Sequence, residues 1–222
     1  ATVAHFVKKE APQLDVSLIE VRSTYTTCFF SNLYLGGFRT YESLQHSYDG
    51  LRRLGVKVIT SVATDVDTAK KAVKLRDGRM IPYDKLVLSP GIDFKFDSIK
   101  GYNAEAIEAM PHAYKPGSQT TLLKRQLEAM RDGGVVVMAP PMDPYRCPPG
   151  PYERAAMIAH YLKTRKPKSK LIILDPKRTF SKQGPFQEAY KKYYANIIEH
   201  RLSDEIDNHG VVEVDVRSKT VV

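Results

Sequence analysis

The chain has 222 residues, enough for one large domain or two smaller ones, and its 42% hydrophobic content excludes long disorder. Its longest apolar runs, such as 134–141 and 171–174, are far too short to cross a bilayer, so no membrane span is expected. The net charge of +9 would attract phosphate, yet Lys and Arg are scattered, Trp is absent and no nucleic-acid-binding motif order is present. A basic face for an acidic protein partner fits better than a nucleic-acid role.

Two cysteines exclude a disulfide framework and leave ordinary thiols, a single bridge or reactive groups. The first residues already read as the interior of a helix, with no initiator Met, signal peptide or transit segment. The expectation is therefore a chain cut at both ends.

In chain order, Val3, Phe6 and Val7 recur at helical spacing and predict a helix over 2–11, closed by Pro12. An apolar strand over 15–21 follows and carries Glu20 at its end. A helix then a strand ending on an acid is the back half of a βαβ unit, where that acid accepts the hydroxyl hydrogens of an adenosine ribose. A surface acid is the competing reading of Glu20. A loop rich in aromatics and hydroxyls spans 22–37, a helix is predicted over 43–54, and a strand over 56–60. Short strands at 72–75 and 79–81 flank Asp77-Gly78, a hairpin signal, and an apolar strand over 86–88 runs into Ser89, Pro90 and Gly91.

The Pro- and Gly-bearing stretch 111–117 marks a boundary, giving domains 1–112 and 113–222. Beyond it a helix over 118–130, a strand over 135–139, a helix over 151–163 and a strand over 170–174 ended by Asp175 form a second βαβ unit. A helix over 186–198 and strands over 211–216 and 220–222 complete the pattern. The fold class is α/β: two dinucleotide-binding, Rossmann-like domains of the glutathione-reductase type with parallel sheets, both incomplete.

Open α/β sheets bind ligands at the carboxyl ends of their strands. In the second unit that position holds no glycine-rich turn but a run of prolines around Met142, which fix φ and offer no N–H to a phosphate. The same loop carries Cys147, just before Pro151, a favoured first helical residue. The helix N-terminus, Arg146 and Arg154 all favour the thiolate, the nucleophilic form. A structural thiol in a rigid loop is the alternative. Cys28, eight residues past Glu20, is either a small core residue or a thiol facing the ligand of the first unit, and a Cys28–Cys147 bridge is disfavoured because the two fall in separate domains. The histidines at 5, 46, 112, 160, 200 and 209 show no metal-ligand spacing, and no metal is expected.

Tyr25-Thr-Thr-Cys28-Phe-Phe-Ser31-Asn32 and Arg146-Cys147-Pro-Pro-Gly-Pro-Tyr152-Glu-Arg154-Ala155 resemble the flavoprotein subunit of flavocytochrome c sulfide dehydrogenase. Tyr48-Asp-Gly-Leu-Arg52, Tyr83-Asp84, Pro90-Gly91-Ile92, Lys166-Pro-Lys-Ser-Lys170 and Thr179-Phe-Ser-Lys-Gln183 are similar to it as well. The resemblance implies a periplasmic oxidoreductase that takes electrons from sulfide, through FAD and a redox-active disulfide, to a c-type cytochrome subunit carrying the heme. It also implies that Cys28 holds the flavin 8α-methyl group by a thioether and that Cys147 is half of the redox disulfide, its partner lying beyond Val222. Glu20 matches the ribose-binding acid, while Ser89, Pro90 and Gly91 match a segment along the cofactor. A sulfide:quinone oxidoreductase-like enzyme and a non-catalytic flavin-binding partner subunit are the alternatives.

Overall fold

A computed structural model describes residues 1–204 and 210–222, which leaves His209 outside the described residues. In chain order the elements are α1 (Thr2–Glu10), β1 (Ser17–Glu20), β2 (Thr24–Thr26), α2 (Ser31–Gly36), β3 (Gln45–Ser47), α3 (Asp49–Arg53), β4 (Lys57–Thr60) and β5 (Ala63–Asp67). They continue with β6 (Ala72–Leu75), β7 (Met80–Pro82), α4 (Ser118–Ala129), β8 (Val135–Met138), α5 (Gly150–Arg165) and β9 (Lys170–Asp175). The last are α6 (Gln183–Tyr194), β10 (Ile198–Leu202), β11 (Val214–Asp215) and β12 (Thr220–Val221).

The chain divides into two compact units, one of Ala1–Thr26 with Gln45–Asp93 and one of Thr27–Leu44 with Phe94–Val222. The segment that carries Cys28 thus groups with the segment that carries Cys147.

In the first unit β1 and β4 pair in parallel, Glu20 opposite Thr60, and β5, β6 and β7 form an antiparallel meander. The meander turns at Asp77-Gly78 as predicted, and Gly78 takes a positive φ of 87°, a conformation that a Cβ would strain. Ala4 of α1, Tyr48, Leu51 and Val56 pack into one small core, and Ile59, Val73 and Leu75 into another.

The helix predicted over 43–54 is broken. Gln45–Ser47 pairs antiparallel with Thr24–Thr26, and α3 starts only at Asp49, whose N–H donates to the Ser47 hydroxyl. Strand pairing captures the backbone that helical spacing would have used, and Ser and Asp favour such local turns. The strand predicted over 86–88 is also absent. Leu86 packs on the β-meander core but Val87 and Leu88 face solvent, Leu88 at 68% exposure, and among the described residues no partner strand pairs with them.

The second unit is built on the parallel sheet β10-β9-β8. The two crossovers are helical, α5 between β8 and β9 and α6 between β9 and β10, which is the wiring a parallel sheet demands. Helix α5 presents Ala155, Ile158, Ala159 and Leu162 to the sheet, each at most 1% exposed, at i, i+3, i+4 and i+7. They pack with Leu171 and Ile173 of β9, and side chains of this size contribute roughly 1.5–3 kcal/mol each on full burial. The helix predicted over 186–198 ends at Tyr194. Ile198 begins β10, because pairing with Leu171 in the parallel ladder outweighs helical continuation.

The α/β class with parallel sheets is as the sequence predicts. Among the described residues no helix is long and apolar enough to cross a membrane.

Candidate functional site

The Cys147 loop is shaped by its backbone. Cys147 itself sits in the left-handed region, φ 59°, where a side chain other than Gly or Asn is strained. Its carbonyl accepts the Gly150 N–H at 2.9 Å, closing the turn that launches α5, with Pro149 and Pro151 at the helix start. The sulfur lies against Gly150: a Cβ at that position would come within 3.1 Å of Sγ. Glycine therefore leaves room for an exposed thiol at the mouth of a sixteen-residue helix, on its electropositive end.

Arg154, one turn along α5, brings Cys28 into the same neighbourhood. Its Nε donates to Asn32 Oδ1 at 3.1 Å, its Nη2 to Ser31 Oγ at 3.1 Å and its Nη1 to the Ala113 carbonyl. Ser31 Oγ donates onward to the Cys28 carbonyl at 2.7 Å. The guanidinium thus clamps the loop of one thiol to the helix that starts beside the other. Phe30, Ala113 and Cys147, three of the non-glycine residues with positive φ, all lie in this construction. Strain gathered around one side chain marks a functional site more often than a packing accident.

Cys28 and Cys147 are both free and exposed, and Phe29 beside Cys28 is 74% exposed. Burial lowers the Arg154 pKa against the opposing pull of Tyr114, Cys28, Cys147 and Glu153. Burial also pushes the Tyr114 phenol up to about 12, with Cys147 adding to it. The boundary expected at 111–117 puts the two thiols in separate domains, whereas both fall in the second compact unit. What unites them is a hydrogen-bond path through Ser31, Asn32 and Arg154, all within the motifs already noted but with no local signal of their pairing.

The end of β9 carries a buried acid. Asp175 is 0% exposed. Its Oδ1 accepts from Lys177 Nζ at 2.7 Å and from the Lys177 N–H at 3.1 Å, while Oδ2 accepts from Tyr152 Oη at 2.7 Å and lies 3.2 Å from His200 Nε2. Tyr152 stacks on Phe180 with ring centroids 3.9 Å apart, and Lys177 Nζ also donates to the Pro141 carbonyl at 2.7 Å. Burial raises the Asp175 carboxyl, but hydrogen bonds from His200, Lys177 and Tyr152 outweigh it and hold the pKa below the usual carboxylate range. An acid in this position binds ribose in dinucleotide folds. Here its oxygens are spent internally, which agrees with the absence of a glycine-rich turn after β8. Lys177 and His200 were missed in the sequence; the alternation Ile198, His200, Leu202 was the signal that would have placed His200 on a strand.

Glu20 ends β1 half-buried, its Oε1 accepting the Val21 N–H at 2.8 Å. Burial, and then the Glu20 carboxylate, push the Tyr48 phenol up to about 12. Ser89, Pro90 and Gly91 are exposed and outside any strand, and Gly91 has φ 87°. Among the described residues no group of three or more His, Cys, Asp or Glu could hold a metal ion. A separate cavity of about 520 Å³ in the second unit, lined by Phe38, Lys124, Glu128, His160 and Arg165 among others, contains none of these residues.

Residues 120–222, which include the Cys147 loop, α5 and the Asp175 cluster, match the family described as sulfide dehydrogenase (flavocytochrome c) flavoprotein chain, central. Solved structures extend the likeness in fold to the rest. The sulfide:quinone oxidoreductase from the hyperthermophilic bacterium Aquifex aeolicus has a TM-score of 0.67 at 20% identity, over 96% of this chain and 49% of that one. The ferredoxin reductase for the CYP199A2 system from Rhodopseudomonas palustris has a TM-score of 0.67 at 15% identity, over 99% and 50%. Reduced Bacillus anthracis CoADR-RHD has 0.67 at 14%, over 100% and 40%. The chain spans about half the length of these structures and shares their fold.

Proposed function

We propose that the chain is part of a flavoprotein that oxidises sulfide to sulfur or polysulfide and passes the electrons to a c-type cytochrome subunit in the periplasm. The observation that carries this reading is the exposed Cys147 thiol, seated at a helix N-terminus within the matched family segment and sharing one guanidinium clamp with the Cys28 loop.

The residues present fit FAD on two counts. Glu20 stands half-buried at a parallel strand end, where it would hold the adenosine ribose. Cys28 offers an exposed thiol beside exposed Phe29 and Phe30, the environment a ring attached at its 8α-methyl group would cover. Ser89, Pro90 and Gly91 would run along the cofactor. When bound, the flavin supplies acceptance of two electrons and their release singly to a heme on the partner.

Cys147 does the sulfur chemistry. In the oxidised state its sulfur is bonded to a second cysteine sulfur supplied from outside these residues. Hydrosulfide attacks the Cys147 sulfur, the new S–S bond forms a persulfide, and the old S–S bond breaks with its electron pair leaving on the partner thiolate. The electropositive helix end and Arg154 stabilise the anionic sulfur species, and the prolines hold the loop still. The buried Asp175 cluster keeps a nicotinamide dinucleotide from the strand end.

Cys147→Ser should abolish sulfide-dependent cytochrome reduction while the flavin stays bound; full activity in that variant would falsify the mechanism. On a denaturing gel, flavin fluorescence should travel with the polypeptide, and complete release of the flavin rules out the Cys28 thioether.

A further inference from the structure

We infer that Arg154 is a positioning residue that presents a fixed, unneutralised positive charge to Cys147 and so selects anionic sulfur species as its reaction partners. The inference deepens the sulfide-oxidising reading and, for the substrate it names, rests on it.

The three atoms that hold the guanidinium are an amide oxygen, a hydroxyl oxygen and a backbone carbonyl oxygen. None is a carboxylate, so the geometry is fixed without cancelling the charge. The side chain is half-buried, where a charge acts over a few ångströms with far less screening than in water. Arg154 follows Gly150 by one helical turn, and the Cys147 sulfur rests on Gly150. The acid next in sequence, Glu153, is exposed and accepts from Asn32 Nδ2 at 3.4 Å, so Asn32 bridges the two charges. Arg146 is exposed on the loop and Tyr114 lies nearby as a neutral phenol.

A planar fork is needed for this arrangement, because three acceptors in three directions hold it by separate N–H groups. Lysine would keep the charge and lose the aim. The consequence for the reaction is specificity: hydrosulfide, already an anion, is concentrated at the disulfide-bonded Cys147 sulfur, and the terminal sulfur of the persulfide is stabilised once the partner thiolate has left.

Competing alkylation of Cys147 in the reduced holoprotein tests this without reference to turnover. Anionic iodoacetate and neutral iodoacetamide both need the thiolate, so the ratio of their rates cancels the thiolate fraction and reports the local potential. Peptide mass spectrometry reads the rates. Arg154→Met should lower the ratio about tenfold, the size expected on losing one unit charge that interacts with the thiol at the edge of a protein. Arg154→Lys should retain most of it, and Arg146→Gln should change it less than Arg154→Met does. An unchanged ratio in Arg154→Met overturns the assignment. Should that variant fail to fold, salt takes its place. In the Arg146→Gln protein the ratio should fall as ionic strength rises to about 0.5 M, and a flat profile overturns the assignment equally.

Sulfide kinetics in the same proteins separate the two claims. A raised KM for sulfide with little change in kcat in Arg154→Lys supports both. A wild-type protein that shows the ratio effect but turns over no sulfide overturns the functional reading and leaves the charge assignment standing.

Discussion

Two strand-end carboxylates occupy the same place in two βαβ-type units and have opposite fates. Glu20 closes β1, half-buried, with a backbone N–H on Oε1 and Tyr48 beside it. Asp175 closes β9 fully buried, and the Lys177 ammonium, the Lys177 N–H, the Tyr152 hydroxyl and His200 crowd its oxygens. A parallel sheet delivers an acid to its carboxyl edge in both cases. What differs is what packs on each acid: Tyr48 beside Glu20, and the stacked rings of Tyr152 and Phe180 beside Asp175. One topology has yielded a half-buried carboxylate at one strand end and a structural knot at the other.

The sharpest way to break this comparison is to remove the charge from the knot. Asp175→Asn leaves Lys177 buried without its counter-ion and should cost roughly 3–5 kcal/mol, read by chemical denaturation. A loss under about 1 kcal/mol would mean that the cluster is no more structural than a surface pair. The pH dependence follows from the same carboxyl. Its folded pKa lies below the ordinary value, so its contribution to stability is complete above about pH 4 and is lost as pH falls through the folded value. Acid denaturation of the wild type should therefore steepen below that point, and Asp175→Asn should flatten the curve there.

Tyr152→Phe removes one donor to Asp175 and keeps the stacking on Phe180. It should cost about 1–3 kcal/mol by denaturation, because a buried acceptor loses a partner. Glu20→Gln, by contrast, should cost under about 1 kcal/mol of stability. It should instead weaken noncovalent flavin retention roughly tenfold in a Cys28→Ser background of the complete protein, measured by gel filtration. Equal stability losses at Glu20 and Asp175 would erase the distinction between the two units. The smallest effect is that of Gly150→Ala. Stability should change by less than about 1 kcal/mol, since alanine favours the helix, while the alkylation rate of Cys147 should shift because the new methyl crowds Sγ.

Periodicity determined much of this protein. The spacing of Ala155, Ile158, Ala159 and Leu162 marks the buried face of α5, and the succession of strand, helix and strand from Val135 to Asp175 marks a parallel sheet. Local chemistry determined more: prolines in place of glycines after β8 show that no phosphate grip exists there, and Asp77-Gly78 shows the hairpin. These properties are legible because they depend on neighbours in sequence. What only the tertiary structure decided are the choices between local and distant partners. Gln45–Ser47 is a strand because Thr24–Thr26 lies alongside it, Asp175 is buried because Lys177 and His200 close on it, and the two cysteines share Arg154 because Ser31 and Asn32 reach a helix more than a hundred residues away. Hydrogen bonds of that range leave no trace in the spacing of residues, since each group could as well have been satisfied by water.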